Sequence, residues 1–246
     1  MVNFFSLLIF FRGVLFMSNI LKFTAINIIA LNLLLSVTTY KVAYAEMSSL
    51  GVLAGGSFSY ARDVSSDGSV IVGYSGSTNG TRAFKYDSTN GMTSLGTFTG
   101  GSFSSAYGVS SDGSVIVGYS NSTDGYSAFK YDSTNGMTSL GVLAGGSFSI
   151  AQDVSGDGSV IAGYSGSTDG DRAFKYDSTN GMTSLGTFTG GSSSYGMDVS
   201  SDGSVIVGYS GSTDGTRAFK YDSTNGMTSL GVLTGGSFSY AYGVSS

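Results

Sequence analysis

The chain has 246 residues, with 39 glycines, 16 tyrosines and 16 phenylalanines but no cysteine, histidine, proline or tryptophan, and a net charge of −5. Disulfides, zinc sites built on Cys or His, and imidazole catalysis are excluded. The acidic balance repels phosphate backbones, so no nucleic acid is expected as a partner.

Lys22 precedes an apolar run at 23–37, and Ala43-Tyr44-Ala45 has the small-x-small pattern that precedes signal-peptidase cleavage. The expectation is a signal peptide over 1–45, cleaved after Ala45, with Met17 as a possible true start that gives it a conventional length. The alternative is an uncleaved leader holding the chain at the inner membrane, because 4–11 is also apolar. The main run is shorter than the roughly 20 residues a spanning helix needs. Cleavage removes Arg12, Lys22 and Lys41 and no acid, leaving 8 basic against 16 acidic side chains, a net charge of −8. The expected location is secreted or on the outer cell surface, after periplasmic transit, with the membrane involved only during export.

From Met47 onward a 45-residue unit recurs at Met92, Met137, Met182 and Met227. The repeat domain, 46–246, divides into copies 47–91, 92–136, 137–181 and 182–226 and a partial copy 227–246. Periods of this size mark arrays and propellers. In the first copy, four segments rich in β-branched and aromatic residues, 47–53, 60–65, 69–75 and 82–87, are separated by Gly55-Gly56, Asp67-Gly68 and Asn79-Gly80, and the copy closes at Asn90-Gly91. These are strand and tight-turn signals. The segment 69–75 is apolar on both faces and should be covered on both. The segment 82–87 alternates, which predicts a half-buried strand near the rim whose Phe84 packs against the next copy. The fold class is therefore all-β: tandem four-stranded antiparallel repeats forming an incomplete β-propeller-like array, with a β-solenoid as the alternative. The partial copy supplies the first two strands of a unit. The chain thus reads as truncated, with an open sheet edge that invites self-association.

The motif at 106–119, Ala-Tyr-Gly-Val-Ser-Ser-Asp-Gly-Ser-Val-Ile-Val-Gly-Tyr, is followed by Ala128-Phe129-Lys130-Tyr131-Asp132 and Gly136-Met137-Thr138-Ser139-Leu140-Gly141. It resembles the bacterial extracellular HAF-repeat family, and the resemblance recurs in every copy across 47–246. It implies an exported or surface-displayed protein, in some members the passenger region of an autotransporter. The family's His-Ala-Phe is replaced by Arg82-Ala83-Phe84, Ser127-Ala128-Phe129, Arg172-Ala173-Phe174 and Arg217-Ala218-Phe219. The Ser66-Asp67-Gly68-Ser69 turn is also similar to the turn of TolB-like propeller repeats and, more distantly, to the sialidase Asp-box. Those likenesses bear on fold alone.

Asp67, Asp112, Asp157 and Asp202 recur at the Asp-Gly turns, with Asp63, Asp153 and Asp198 four residues earlier in three copies and Gly108 in the other. Carboxylates so spaced suit calcium, but Asp also favours such turns, and the expectation is no metal and no cofactor. Without histidine, a serine nucleophile would need Lys85, Lys130, Lys175 or Lys220 as its base, and all four occupy one repeated position. No catalytic residue is assigned, and the chain is expected not to be an enzyme.

The copies differ mainly in two columns. One holds Arg62, Tyr107, Gln152, Met197 and Tyr242, with Tyr60, Ser105, Ile150, Tyr195 and Tyr240 two residues before; the other holds Thr81, Tyr126, Asp171 and Thr216. Variation on a constant scaffold, with Tyr and Arg among the choices, is what a binding face shows. The candidate face is Tyr60, Arg62, Tyr107, Tyr126, Gln152, Tyr195, Met197, Tyr240 and Tyr242; drift at exposed positions is the alternative. The functional expectation is an exported, non-enzymatic protein of adhesion, interaction or passenger type, with an extracellular protein or glycan as partner. A lectin-like glycan-binding propeller and a non-functional truncated gene fragment are the alternatives.

Overall fold

A computed structural model describes residues 47–245; the leader expected over 1–45 lies outside the described residues. Residues Ser49–Ser246 form one compact unit. It contains sixteen strands: β1 (Ser59–Val64), β2 (Ile71–Ser77), β3 (Gly80–Asp87), β4 (Gly91–Gly96), β5 (Ser104–Val109), β6 (Ile116–Ser122), β7 (Gly125–Asp132), β8 (Gly136–Ser139), β9 (Ser149–Val154), β10 (Val160–Ser165), β11 (Arg172–Asp177), β12 (Gly181–Gly186), β13 (Ser194–Val199), β14 (Ile206–Ser212), β15 (Gly215–Asp222) and β16 (Gly226–Gly231). They form four antiparallel meanders of four strands in sequence order, each a blade. The first strand of each blade lies against the blade before it, β5 on β1 to β3, β9 on β5 to β7, and β13 on β9 to β11. This is an incomplete β-propeller-like array, and the solenoid alternative is set aside.

The turns follow the expected chemistry. Gly68, Gly80 and Gly91 have φ of 74°, 105° and 66°, where a side chain would be strained. Each Asp-Gly turn is closed by its own side chains: Asp67 Oδ1 accepts from Ser65 Oγ (2.7 Å) and Ser69 N (2.9 Å), and Ser65 Oγ accepts from Val70 N (3.0 Å).

The blades are out of phase with the sequence copies. The segment opening each copy is the outermost strand of the preceding blade: Met92 lies in β4 and pairs with Tyr86 of β3. The strand expected at 47–53 is accordingly not a strand, because no β3-type edge precedes it among the described residues. For the same reason Met227 belongs to β16, and only 239–244, not itself a strand, stands at the positions of a first strand.

The seams between blades carry the core. Val70, Val72, Ala83 and Leu95 of the first blade pack with Ala106, Val109, Ile116 and Phe129 of the second. Val115, Val117, Ala128 and Leu140 meet Ala151, Val154, Ile161 and Phe174 in the next seam, and Val160, Ala162 and Ala173 meet Val199, Ile206 and Phe219 in the third. The phenylalanine therefore packs on the preceding blade, the reverse of the expected direction. Both faces of the third strand are closed in the inner blades, with Ala128, Phe129, Ala173 and Phe174 at 0% exposure, so this strand is sandwiched and not half-buried at a rim. Polar bonds stitch the same seams: Ala83 N, Ala128 N and Ala173 N donate to Ser104, Ser149 and Ser194 Oγ of the next blade at 2.8 to 2.9 Å. The abundant serine is thus largely structural. Outside the repeated seams the same positions are open: Val64 is 51% exposed against 7% for Val109, and Leu230 is 58% exposed against 8% for Leu95.

Truncating a seam phenylalanine removes a fully buried ring from between two sheets. Phe174→Ala is expected to lower stability in urea unfolding by about 3–5 kcal/mol, and a loss under about 1 kcal/mol would contradict the seam as the source of cohesion.

Candidate functional site

Register explains why one column varies. In each blade the ladder between the first and second strands skips a residue, between Ala61 and Asp63 and again at the equivalent places. The skipped residue is Arg62, Tyr107, Gln152 or Met197. A bulged residue has no cross-strand partner, so its side chain is released from the packing that holds the rest constant. Two residues earlier, Tyr60, Ser105, Ile150 and Tyr195 pair directly with the constant Tyr74, Tyr119, Tyr164 and Tyr209.

The structure brings most of the expected face together as an aromatic belt. Tyr60 stacks on Tyr74 with ring centroids 5.1 Å apart. The Arg62 guanidinium lies 5.3 Å from the centroids of both Tyr74 and Tyr107, bridging the first two blades by cation–π contact. Tyr107 and Tyr126 flank Tyr119 at 5.6 and 5.8 Å. Tyr195 touches Tyr164 and Tyr209 at 4.9 and 5.1 Å, and Tyr209 meets Tyr240 and Tyr242 at 4.8 and 6.3 Å. Ile150 and Gln152 stand where the third copy lacks aromatic side chains, and the belt of ring contacts is broken there; Gln152 and Met197 are half-buried.

The second variable column joins the first. The Tyr195 hydroxyl donates to Asp171 Oδ2 at 2.9 Å, and Tyr126 lies 6.4 Å from Phe103. Burial among the rings pushes the Tyr119, Tyr164, Tyr195 and Tyr209 phenols above their ordinary range, so they stand neutral as donors. The constant tyrosines that form the platform for the variable ones were not among the expected residues. Their signal was the Gly-Tyr-Ser in every copy, which constancy made look like scaffold.

A separate acidic cluster lies where the first strands end. Asp63, Asp153 and Asp198 accept from Val109 N (2.8 Å), Val199 N (3.1 Å) and Val244 N (2.6 Å), each on the following blade or segment. Asp63 borders a cavity of about 280 Å³ lined also by Ser66, Val109, Val154, Val199 and Ser201. Backbone bonds run round the same end, Ser66 N to Ser111 O (3.1 Å), Ser111 N to Gly156 O (2.9 Å) and Gly156 N to Ser201 O (2.8 Å). Gly108 leaves room for Asp153, whose Oδ1 lies 2.9 Å from where a Cβ at 108 would stand. Burial, then the hydrogen bond and negative charge of Asp198, push the Asp153 carboxyl up to about 8, and burial raises Asp63 as well.

The turn aspartates behave in the opposite way. Hydrogen bonds from their own turns hold Asp67 and Asp157 below the ordinary range and Asp112 and Asp202 at about 2. Their oxygens are engaged locally and do not join the Asp63 cluster. Among the described residues, no group of three or more His, Cys, Asp or Glu is placed to hold a metal ion. The repeated lysines lie on the third strands, Lys175 and Lys220 within 3.7 and 3.5 Å of Asp177 and Asp222. The belt can stack on a partner, donate phenolic hydrogen bonds and offer one guanidinium and one carboxylate.

No family model matches the sequence, and no curated protein matches it. Among solved structures, the fold is similar to that of TolB from Acinetobacter baumannii, with a TM-score of 0.53 and 19% identity over 72% of this chain and 44% of that one. It is also similar to a putative TolB from Agrobacterium tumefaciens, with a TM-score of 0.54 and 17% identity over 73% of this chain and 68% of that one. The chain thus spans less than half the length of the first, and the likeness shows a β-propeller fold. No helix among the described residues is long and apolar enough to cross a membrane.

Two outcomes are expected. Asp153 keeps in the folded state a proton that an unfolded Asp releases near pH 4. Its contribution is therefore complete below about pH 4 and is lost as pH rises toward about 8. The turn aspartates work oppositely, their contribution present above about pH 4 and lost toward about pH 2. The melting temperature should peak at mildly acid pH and fall between pH 5 and about 8, and Asp153→Asn should flatten that fall; an unchanged slope in the variant would refute the assignment. Ser105 Oγ is buried without a hydrogen-bond partner, so Ser105→Ala should leave stability unchanged or raise it by up to about 1 kcal/mol; a clear loss in urea unfolding would mean that the hydroxyl has a partner.

Proposed function

We propose that the chain is an exported, non-enzymatic propeller-type repeat protein that acts by binding, with the tyrosine belt as its contact surface. The observation that carries this reading is that the two columns in which the copies differ converge on one aromatic belt, on blades otherwise nearly identical. Tyr60, Tyr126, Tyr240 and Tyr242 are 44–65% exposed on it. Large amphipathic rings supply contact area at low entropic cost, and Tyr and Arg dominate the energetics of interfaces. The resemblance to the extracellular HAF-repeat family and the small-x-small site at 43–45 support an address outside the inner membrane, on the outer surface or in the medium. The partner class is an extracellular protein or a glycan. The lectin-like reading draws on one specific feature, the recurrence of phenol rings at equivalent places, which suits stacking on successive sugar faces.

Mass spectrometry on fractionated cells tests the address: a mature terminus at Glu46 in the medium or outer-surface fraction is expected, and an intact leader in the inner membrane or cytosol would overturn it. For the surface, joint replacement of Tyr60, Tyr126, Tyr240 and Tyr242 by Ala should weaken binding to matrix-coated surfaces or arrayed glycans at least tenfold, about 1.4 kcal/mol, while the variant still unfolds cooperatively well above the assay temperature. Binding that survives the replacement would remove the belt from the account.

A further inference from the structure

The two variable columns meet at one place with a chemistry the other copies lack. Tyr195 directs its phenolic proton at the Asp171 carboxylate, 2.9 Å away. The residues equivalent to Asp171 are Thr81, Tyr126 and Thr216, none of them a carboxylate. Tyr195 also stands in the middle of a run of rings that crosses two seams, from Tyr164 (4.9 Å) through Tyr209 (5.1 Å) to Tyr240 (a further 4.8 Å). The run ends on Tyr240 and Tyr242, 44% and 65% exposed, stacked at 21° with centroids 6.1 Å apart.

A phenol hydrogen-bonded to a carboxylate gives up an electron more readily than a phenol facing water. The proton moves along the existing bond as the electron leaves, so no high-energy phenol radical cation forms. The chain has no cysteine or tryptophan to compete as a one-electron donor.

We propose that Tyr195 and Asp171 form a one-electron oxidation site, and that the ring run carries the resulting radical to Tyr240 and Tyr242, where it cross-links the chain to a second copy. The oxidant is a peroxide-driven one-electron acceptor of the haem peroxidase class. It takes one electron from Tyr195 while the phenolic proton passes to Asp171, leaving a neutral phenoxyl radical. Half-buried Tyr209 passes an electron to Tyr195 as it releases its phenolic proton to water, and Tyr195 takes its own proton back from Asp171; Tyr209 then recovers an electron from Tyr240 or Tyr242 and a proton from water, and the surface phenol releases its own proton to water. Two surface radicals on two copies then join by one bond between ring carbons ortho to oxygen. Each ring passes its ortho hydrogen to its oxygen and becomes a phenol again. The pair of chains has lost two electrons and two protons, which convert one hydrogen peroxide to two waters. The inference does not depend on any bound partner and stands apart from the binding role.

The test treats the full chain with a haem peroxidase and hydrogen peroxide, follows covalent dimer on denaturing gels, and maps the linked peptides by mass spectrometry. Cross-links should concentrate on Tyr240 and Tyr242. Tyr195→Phe, Asp171→Asn and Asp171→Thr should each slow the initial rate about tenfold, the weight of one hydrogen bond to a charged group. Thr occupies the equivalent position in two other copies, so the last variant preserves the fold. Asp169→Asn removes the same charge from the adjacent exposed turn, matches Asn79 of the first copy, and should leave the rate unchanged. Freeze-quenched samples should show a phenoxyl resonance with a component coupled to the exchangeable proton shared with Asp171, and Tyr195→Phe should abolish that component while the surface-radical signal persists at a lower level, a readout that a merely structural role would not move. The proposal is overturned by absence of covalent dimer, by cross-links spread over Tyr60 and Tyr126 in proportion to exposure, or by a rate indifferent to Asp171.

Discussion

Everything in this molecule depends on the burial of two apolar faces of one sheet against its neighbours. A four-stranded meander carrying Val72 and Ala83 on one side and Phe84 on the other cannot be stable alone in water, because each large apolar side chain left exposed forgoes roughly 1.5–3 kcal/mol. Stacking blade on blade removes both faces at once, and the seam made by Ala106, Ile116 and Phe129 against Val70, Val72 and Ala83 is reproduced with nearly the same residues in the next two. Glycine in the second strand completes the fit: a methyl at Gly163 would meet the Ile150 carbonyl and the Phe174 ring. The glycine pairs with the ring across the ladder in all four blades, Gly73 with Phe84, Gly118 with Phe129, Gly163 with Phe174 and Gly208 with Phe219.

That constraint also decides where the copies are free to differ. Positions paired in the ladder or pressed into a seam are held, and the residue left over at each bulge is not. Arg62, Tyr107, Gln152 and Met197 occupy that released position, and the Tyr126 and Asp171 column lies beside the next blade's entry segment. The backbone bond from Ser194 N to Asp171 O and the parallel bridge between Tyr126 and Phe148 show how closely the two columns are tied. Variation that looks scattered along the chain is gathered by the fold into one belt.

The repeat symmetry is broken by chemistry at few points. Asp153 and Asp198 are adjacent carboxylates, whereas Asp63 is followed by Gly108, so one seam shares negative charge and another does not. Among the described residues, Tyr195 with Asp171 is a single phenol–carboxylate hydrogen-bonded pair in an array of otherwise equivalent phenols. Such local departures are where an array of duplicated units acquires distinct properties, because the repeated parts cannot distinguish one blade from another.

The amino-acid sequence by itself determined the period, the all-β class, the four-strand count and the glycine turns, since these rest on side-chain alternation and local φ preferences that each segment carries alone. It also marked the columns that vary. Only the tertiary structure decided that the opening segment of each copy belongs to the preceding blade, that the phenylalanine faces backward, and that Tyr74, Tyr119, Tyr164 and Tyr209 form the platform of the belt. The physical reason is that sheet-edge pairing and seam direction are contacts between residues about a copy apart, and identical copies offer identical partners before and after, so no local preference could choose between them. The meeting of Tyr195 with Asp171 is of the same kind: two side chains 24 residues apart in sequence, brought together by the blade seam.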